Sequence, residues 1–555
     1  MKDKRLLYLL GAGTLTGLAG TAGAQQQRPN IIYMMADQLR ADVLGYAGDG
    51  LAVTPNIDRF ARQSLDFTNA VSVSPVSAAY RASLITGKYT SSTGMVINEL
   101  NLNPNHRTLA HVLTDAGYQT GYVGKVHWND AHRRPYKPGP ERMGFDGYWA
   151  AYSFNHINYS AFYDTDGPDG EPVHVDLKGQ YGPEVFTGLA LDYIREHAGD
   201  EQPFTLMLSW SPTHDPWVRR NVPAHCYERF KDVKFELPEN FNENPDPYMD
   251  RFFSEYFNGR TSWRDDFVKG EGYQEAMRCY YAMVNSIDEQ FGRVVELLDS
   301  LGIADNTIVV FTSDHGEMMT SQGRMFKMIF YDEACRIPFL IRCPGAKRGR
   351  TDVCLNTPDI APTLLGLVGL SDSIPAEMEG DDLSFAVRGG KGLEPDFAFM
   401  QGMGHTHLWR NGFEWRAVRD KRYTYARYLR DGSELLFDRQ KDPHMTRNVA
   451  EDKKYAKVLA SLRSGMAAKM EELNDEFKPC TWYRDHWMYK DFSIKAAAHG
   501  EFGPLPPIEP VRVRKEFRRS AKKYILPQGG CIFWNSIRVT PSPAPWIGSP
   551  LRWLP

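Results

Sequence analysis

Seven cysteines are scattered through the 555 residues (Cys226, Cys279, Cys335, Cys343, Cys354, Cys480 and Cys531), and no two form a C-x-x-C pair. No zinc-binding spacing is therefore present. The odd count leaves at least one thiol unpaired, and the sequence assigns no disulfide. Beyond the first 24 residues there is no run of 18 apolar residues, so no segment reads as a membrane-spanning helix. Neither sign of charge is in excess. Lys and Arg total 65 against 69 Asp and Glu, a formal net charge of −4, which argues against wholesale nucleic-acid binding.

What is present is ordinary for a large globular enzyme. Hydrophobic residues make up 42% and charged residues 24%. Aromatics reach 12%, which suits either carbohydrate stacking or a large aromatic core. The first 24 residues read as an export signal: Lys2, Lys4 and Arg5 precede an apolar stretch over 6–18, and Ala22-Gly23-Ala24 forms a small-residue cleavage site. The mature chain is expected to be soluble and exported, periplasmic or extracellular, with no transmembrane anchor.

From about residue 28 to 370, apolar strands alternate with helices. Strands are expected over 30–35, 118–123, 204–208 and 307–312, and helices over 54–65, 109–116 and 273–301. Such alternation implies an α/β fold with a largely parallel sheet covered on both faces. After about residue 395 the pattern changes to short strands over 415–419, 423–428 and 434–437, then a helix over 453–473. The expected division is a signal at 1–24, a catalytic domain at 25–390, a C-terminal α+β subdomain with an antiparallel sheet at 391–502, and a Pro-rich, basic, irregular tail at 503–555.

Four of these strands each run into polar residues. The first ends at Asp37 and Gln38, the second at Lys125 and His127, the third leads to His214, and the fourth ends at Asp314 and His315. Ligands in open α/β sheets bind at the carboxyl ends of strands, so these groups read as one site assembled from separated segments. Ser77 stands at or near a helix start with Arg81 four residues on, on the same face. A helix start attracts anions, and a nucleophile there with an Arg one turn later suits a tetrahedral oxyanion. On local sequence alone, a plain helix cap is the lesser alternative reading of Ser77. It has no G-x-S-x-G frame, so a classical serine hydrolase is not indicated.

The segment Ser77-Ala-Ala79-Tyr-Arg81 followed by Leu84-Ile-Thr86-Gly87 resembles the signature of the type I sulfatases of the alkaline phosphatase superfamily. Blocks around Asp37, Lys125, His127, His214, Asp314, His315 and Lys327 match in order, over roughly residues 28 to 490. The resemblance implies a large mixed, mostly parallel sheet of the alkaline phosphatase kind. It implies one Ca2+ ion held by Asp37, Gln38, Ser77, Asp314 and His315, and a formylglycine made from Ser77 by an anaerobic, serine-type maturase. Ser77, Arg81, Lys125, His127, His214 and Lys327 would be the catalytic set: Arg81, Lys125 and Lys327 offset charge, His214 or Lys327 protonates the leaving alcohol, and His127 acts as base. The chain departs from the family pattern at Ala79, a less common residue there, at Gln38, where Asp is more common, and at His315, where Asn is common. The substrate implied is a sulfated glycan. His132, Arg133, Arg134, His156, His405, His407 and Trp409 are subsite candidates, and the plainer reading of each is a solvated loop residue. Alternatives are a phosphonate monoester or phosphodiester hydrolase of the same superfamily and an unmatured glycan-binding relative.

Overall fold

The computed structural model describes residues 28–493 apart from 99, 130–137, 243–266, 269 and 405–411. All of them fall in the first of two compact units, Met1–Glu509; the second, Pro510–Pro555, lies outside the described residues, as does the expected export signal.

A ten-stranded sheet forms the centre. Its strands in chain order are β1 (Asn30–Ala36), β2 (Leu65–Val71), β3 (Gln119–Lys125), β4 (Tyr148–Tyr152), β5 (Phe162–Asp166), β6 (Pro172–Asp176), β7 (Phe204–Ser209), β8 (Thr307–Ser313), β9 (Phe339–Arg342) and β10 (Gly349–Asn356). In space they run β10-β2-β9-β8-β1-β7-β3-β4-β5-β6. Every residue of β1 is buried, as a strand covered on both faces requires. One face packs on the long helix α1 (Glu271–Ser300), which contributes Tyr280, Met283, Ile287 and Phe291 to the core. The other face packs around the short helix Ser77–Thr86 and the helix Thr357–Leu367.

The register of the four middle strands decides where the chemistry goes. β8, β1, β7 and β3 are mutually parallel, with Ala36 opposite Ser313, Met35 opposite Ser209, and Gly124 also opposite Ser209. Asp37, Asp314 and Lys125 therefore leave the sheet at one edge. Gly124 is obligatory in this packing: its φ is +99°, and a Cβ there would lie 2.0 Å from the Ser209 carbonyl oxygen.

The sheet is mixed rather than wholly parallel. β9 runs antiparallel to both β2 and β8, and β4, β5 and β6 form an antiparallel edge. The helix expected over 54–65 spans only Pro55–Ala61, because Leu65 already begins β2 and pairs with both β9 and β10. Partners far away in sequence override the local apolar spacing there.

A second sheet is an antiparallel meander of β11 (Ala398–Gly402), β12 (Trp415–Arg419), β13 (Tyr423–Tyr428) and β14 (Glu434–Asp438). The two-residue alternation divides its side chains. Phe399, Val418, Tyr425 and Leu436 meet Leu459, Leu462 and Met466 of the helix Ala456–Glu472. Met400, Ala417, Ala426 and Phe437 meet Met318, Ile329, Phe330 and Tyr331. Trp415 adds a hydrogen bond of 3.1 Å from its indole N–H to the Met328 carbonyl. This sheet is thus the wall against which the Lys327 segment is laid. Among the described residues, no helix is long and apolar enough to cross a membrane.

Arg419 fastens the small sheet to the large one. Its guanidinium meets Asp332 through two hydrogen bonds of 2.9 Å and donates a third to Asn69 of β2. Burial works against the Asp332 carboxylate, but Arg419 holds it below the usual carboxylate range. Arg419→Ala strands that carboxylate and is expected to cost on the order of 3 kcal/mol, read as a lower urea midpoint. A depressed folded-state pKa contributes stability above the unfolded carboxylate value and loses it as pH falls. The variant should therefore lose less of its remaining stability than the parent on acidification.

Candidate active site

Asp37 follows β1 and carries no exposed surface. One of its oxygens, Oδ2, accepts from Lys125 Nζ at 2.5 Å and from Arg81 Nη2 at 3.2 Å. Burial opposes its ionisation, yet Lys125 beside it holds the carboxyl well below its ordinary value. The same burial pulls the Lys125 ammonium down to about 8 in spite of Asp37. Asp314 accepts from Arg81 Nη2 at 3.2 Å through Oδ2, and through Oδ1 from the backbone N–H groups of Gln38 and His315.

His315 completes the group. Its Nδ1 lies 2.9 Å from the Gly316 carbonyl, which can only accept, so Nδ1 carries the proton and Nε2 presents a lone pair. That lone pair faces Ser77 Oγ at 3.0 Å and Asp314 Oδ1 at 3.7 Å. Burial pushes the His315 imidazole down to about 4, so it is neutral at pH 7. Asp37, Asp314 and His315 offer donor atoms within 4.8 Å of one another, a set that fits a divalent metal ion.

The helix Ser77–Thr86 supplies the remaining anion-facing groups. Ser77 is its first residue, Val76 is the cap position, and no side chain caps the end. The cap reading of Ser77 is therefore excluded: its hydroxyl turns to His315 Nε2 and lies 3.5 Å from Asp37 Oδ1. Arg81, one turn on, is 1% exposed and reaches Asp37, Asp314, Ser209 Oγ and the Lys125 carbonyl. Its two neighbours Ala78 and Ala82 are small and buried, which lets the helix sit close to the sheet.

Gln38 is held with φ +64°, in the left-handed region. Hydrogen bonds from Thr213 and Tyr280 to its carbonyl, and from its N–H to Asp314, stabilise that conformation. Its side-chain oxygen accepts from Lys327 Nζ. Lys327 also donates to His214 Nε2 at 2.9 Å, since His214 Nδ1 is committed to the Asp215 carbonyl. The His214 ring lies flat on that of His156, 3.5 Å between centroids. His156 Nε2 and both ring nitrogens of His127 are buried without a partner. Burial, reinforced for His127 by Lys125 and for His156 by His214, keeps both imidazoles neutral. Unsatisfied neutral imidazoles beside a cationic cluster suit a polar ligand.

All ten residues singled out at the strand ends and on the two following segments come together. Of the subsite candidates, His156 joins them through the ring stack. His132, Arg133, Arg134, His405, His407 and Trp409 lie outside the described residues. One residue escaped the sequence reading: Glu317 is fully buried and accepts from Gln38 Nε2 at 2.7 Å and from the N–H groups of Met319 and Phe326. Its position two residues after His315 was the available signal. It fixes which end of the Gln38 amide faces Lys327.

Glu317→Ala frees that amide to rotate. Loss of such a supporting contact is expected to weaken divalent-metal affinity roughly 10- to 100-fold, measured by calcium titration of the metal-stripped protein. Unchanged affinity would remove Gln38 and its support from the metal site.

A family model described as Sulfatase matches residues 29–370, and one described as N-sulphoglucosamine sulphohydrolase, C-terminal, matches residues 321–473. The chain is 35% identical over 468 residues to an ulvan-active sulfatase of Formosa agariphila, covering 83% of this chain and 85% of that one. It is 30% identical over 522 residues to an endo-4-O-sulfatase of Bacteroides thetaiotaomicron, covering 83% and 94%. A solved structure from Bacteroides thetaiotaomicron, from work on its metabolism of multiple glycosaminoglycans, superposes with a TM-score of 0.67 at 28% identity, covering 82% of this chain and 98% of that one. With its fold, its buried metal-binding cluster and these matches, the chain belongs to the sulfatase family of sulfuric ester hydrolases.

Proposed function

We propose that this sulfatase removes sulfate from a sulfated glycan, using a formylglycine made from Ser77 and one calcium ion. The observation that carries the reading is Ser77 itself: its hydroxyl abandons the helix end and meets His315 Nε2 at 3.0 Å beside Asp37. The glycan class is supported by the relatives, which include an ulvan-active sulfatase and an endo-4-O-sulfatase.

Asp37, Gln38, Asp314 and His315 would hold the ion, together with the oxidised side chain at position 77. Asp37, Asp314 and His315 offer buried donor atoms within 4.8 Å of one another, and Gln38 offers a hard oxygen on an amide whose nitrogen is held by Glu317. When bound, calcium supplies a Lewis acid for a sulfate oxygen, and the aldehyde at position 77 supplies a hydratable nucleophile. Arg81, Lys125 and Lys327 offset the negative charge of the sulfuryl group, and do so in a water-poor site where that is worth most. His127 is a neutral imidazole with neither nitrogen hydrogen-bonded, so its one unprotonated nitrogen can take a proton. The Lys327–His214 pair holds a proton at a 2.9 Å hydrogen bond for the departing alcohol. The flat stack on His156 fixes the orientation of the His214 ring.

Maturation would need a serine-type maturase that accepts Ala79, and export is supported by the basic and apolar start of the chain.

The test is a desulfation screen of protein co-expressed with such a maturase. Sulfated monosaccharides, glycosaminoglycan disaccharides and matched phosphate esters would be offered with and without calcium. Release of sulfate from a sulfated sugar is expected, lost on chelation and lowered roughly a thousandfold or more in Ser77→Ala. Phosphate release in place of sulfate, or near-parental turnover by Ser77→Ala, would overturn the reading.

A further inference from the structure

A second group of metal-binding side chains lies apart from the residues described above. His225 and Cys226 sit on the short helix Ala224–Glu228, and Glu289 sits on α1. Consecutive residues of a helix diverge by about 100°, yet both side chains reach the same carboxylate oxygen. Glu289 Oε2 is 2.9 Å from His225 Nε2 and 3.8 Å from Cys226 Sγ, and Sγ is 3.3 Å from Nε2. Bond lengths of about 2.0–2.3 Å at a tetrahedral zinc ion place such donors roughly 3.3–3.6 Å apart. The observed triangle needs adjustments of only a few tenths of an ångström. The other oxygen of Glu289 faces Arg229 at 3.9 Å, which leaves Oε2 for the cluster.

We propose that His225, Cys226 and Glu289 form a structural site for zinc or a similarly thiophilic divalent ion, with solvent as the fourth ligand. One thiolate and one carboxylate balance the charge of the ion, and neutral imidazole completes the protein donors. Binding releases the thiol proton to solvent as the metal–sulfur bond forms. Cys226 is wholly buried while the His225 side chain is 56% exposed, so the ion has a way in and a dry sulfur at its back. A thiolate ligand favours a thiophilic ion over a hard, oxygen-seeking one such as calcium. The site is therefore chemically distinct from the oxygen-rich one at Asp37. Its effect is mechanical. It clips to α1 the segment that leaves β7, carries His214 and ends in the Ala224–Glu228 helix.

The experiment is cobalt titration of the full mature chain, untagged and metal-stripped, because cobalt reports a thiolate ligand by a near-ultraviolet charge-transfer band. One equivalent giving that band is expected. The band should vanish in Cys226→Ser, fall with weakened binding in the exposed-site variant His225→Ala, and persist in the control Cys343→Ser. Cobalt entering the Asp37 site meets no thiol and gives no such band, so the result is independent of the sulfatase mechanism. No band in the parent, a band retained in Cys226→Ser, or unchanged affinity in His225→Ala would each overturn the proposal.

Discussion

The Asp37 carboxylate is the constraint around which this structure is arranged. It is removed from water and lies between Lys125 and Arg81, with Ser77 and His315 at its other oxygen. A buried carboxylate of this kind persists only while its cationic partners stay in place. Its neighbours arrive from different elements: the cations Lys125 from the end of β3 and Arg81 from the helix that follows β2, and the neutral His315 from beyond β8. Those elements must therefore hold one register. The parallel pairing of β8, β1, β7 and β3 supplies it, and Gly124 permits the close approach to Ser209 that brings Lys125 to its place.

The second sheet extends the same logic outward. Its inner face packs on Ile329, Phe330 and Tyr331, immediately after Lys327, and Trp415 grips the Met328 carbonyl. Lys327 in turn bridges Gln38 and His214. The charge cluster at the strand ends is thus buttressed from the meander through a single short segment. The helix Cys480–His486, farther along the chain, packs back on the large core: Cys480, Tyr483 and the following Trp487 belong to the same hydrophobic cluster as β2 and the Ser77–Thr86 helix.

Much of this was legible in the chain. Continuous apolar runs marked β1, β7 and β8 because strands buried on both faces need no alternation. The polar residues at their ends stood out against those runs. Three of the four strands of the meander, β12 to β14, were visible as short runs with the Asp431-Gly432 turn, where Gly432 adopts φ +72°, whereas β11 was not. What was hidden depends on distant partners. The helix expectation over 54–65 runs into Leu65, the first residue of β2, and leaves the rest of that strand unassigned, since it is defined only with β9 and β10 beside it. The antiparallel edge of β4, β5 and β6 lacks a strong local signature, since β6 is largely exposed. Glu317 looked like any acidic residue after a strand; only the fold shows that it orients Gln38. The parallel stack of His156 on His214 joins residues far apart in sequence and has no local trace.

The central claim is that Ser77 is not a structural serine but the precursor of the reacting group. Peptide mass mapping across residue 77 of the mature, catalytically active protein addresses it without recourse to any substrate. A residue two hydrogens lighter than serine that reacts with aldehyde-specific reagents is expected. An unmodified serine in protein that releases sulfate at full rate would contradict it.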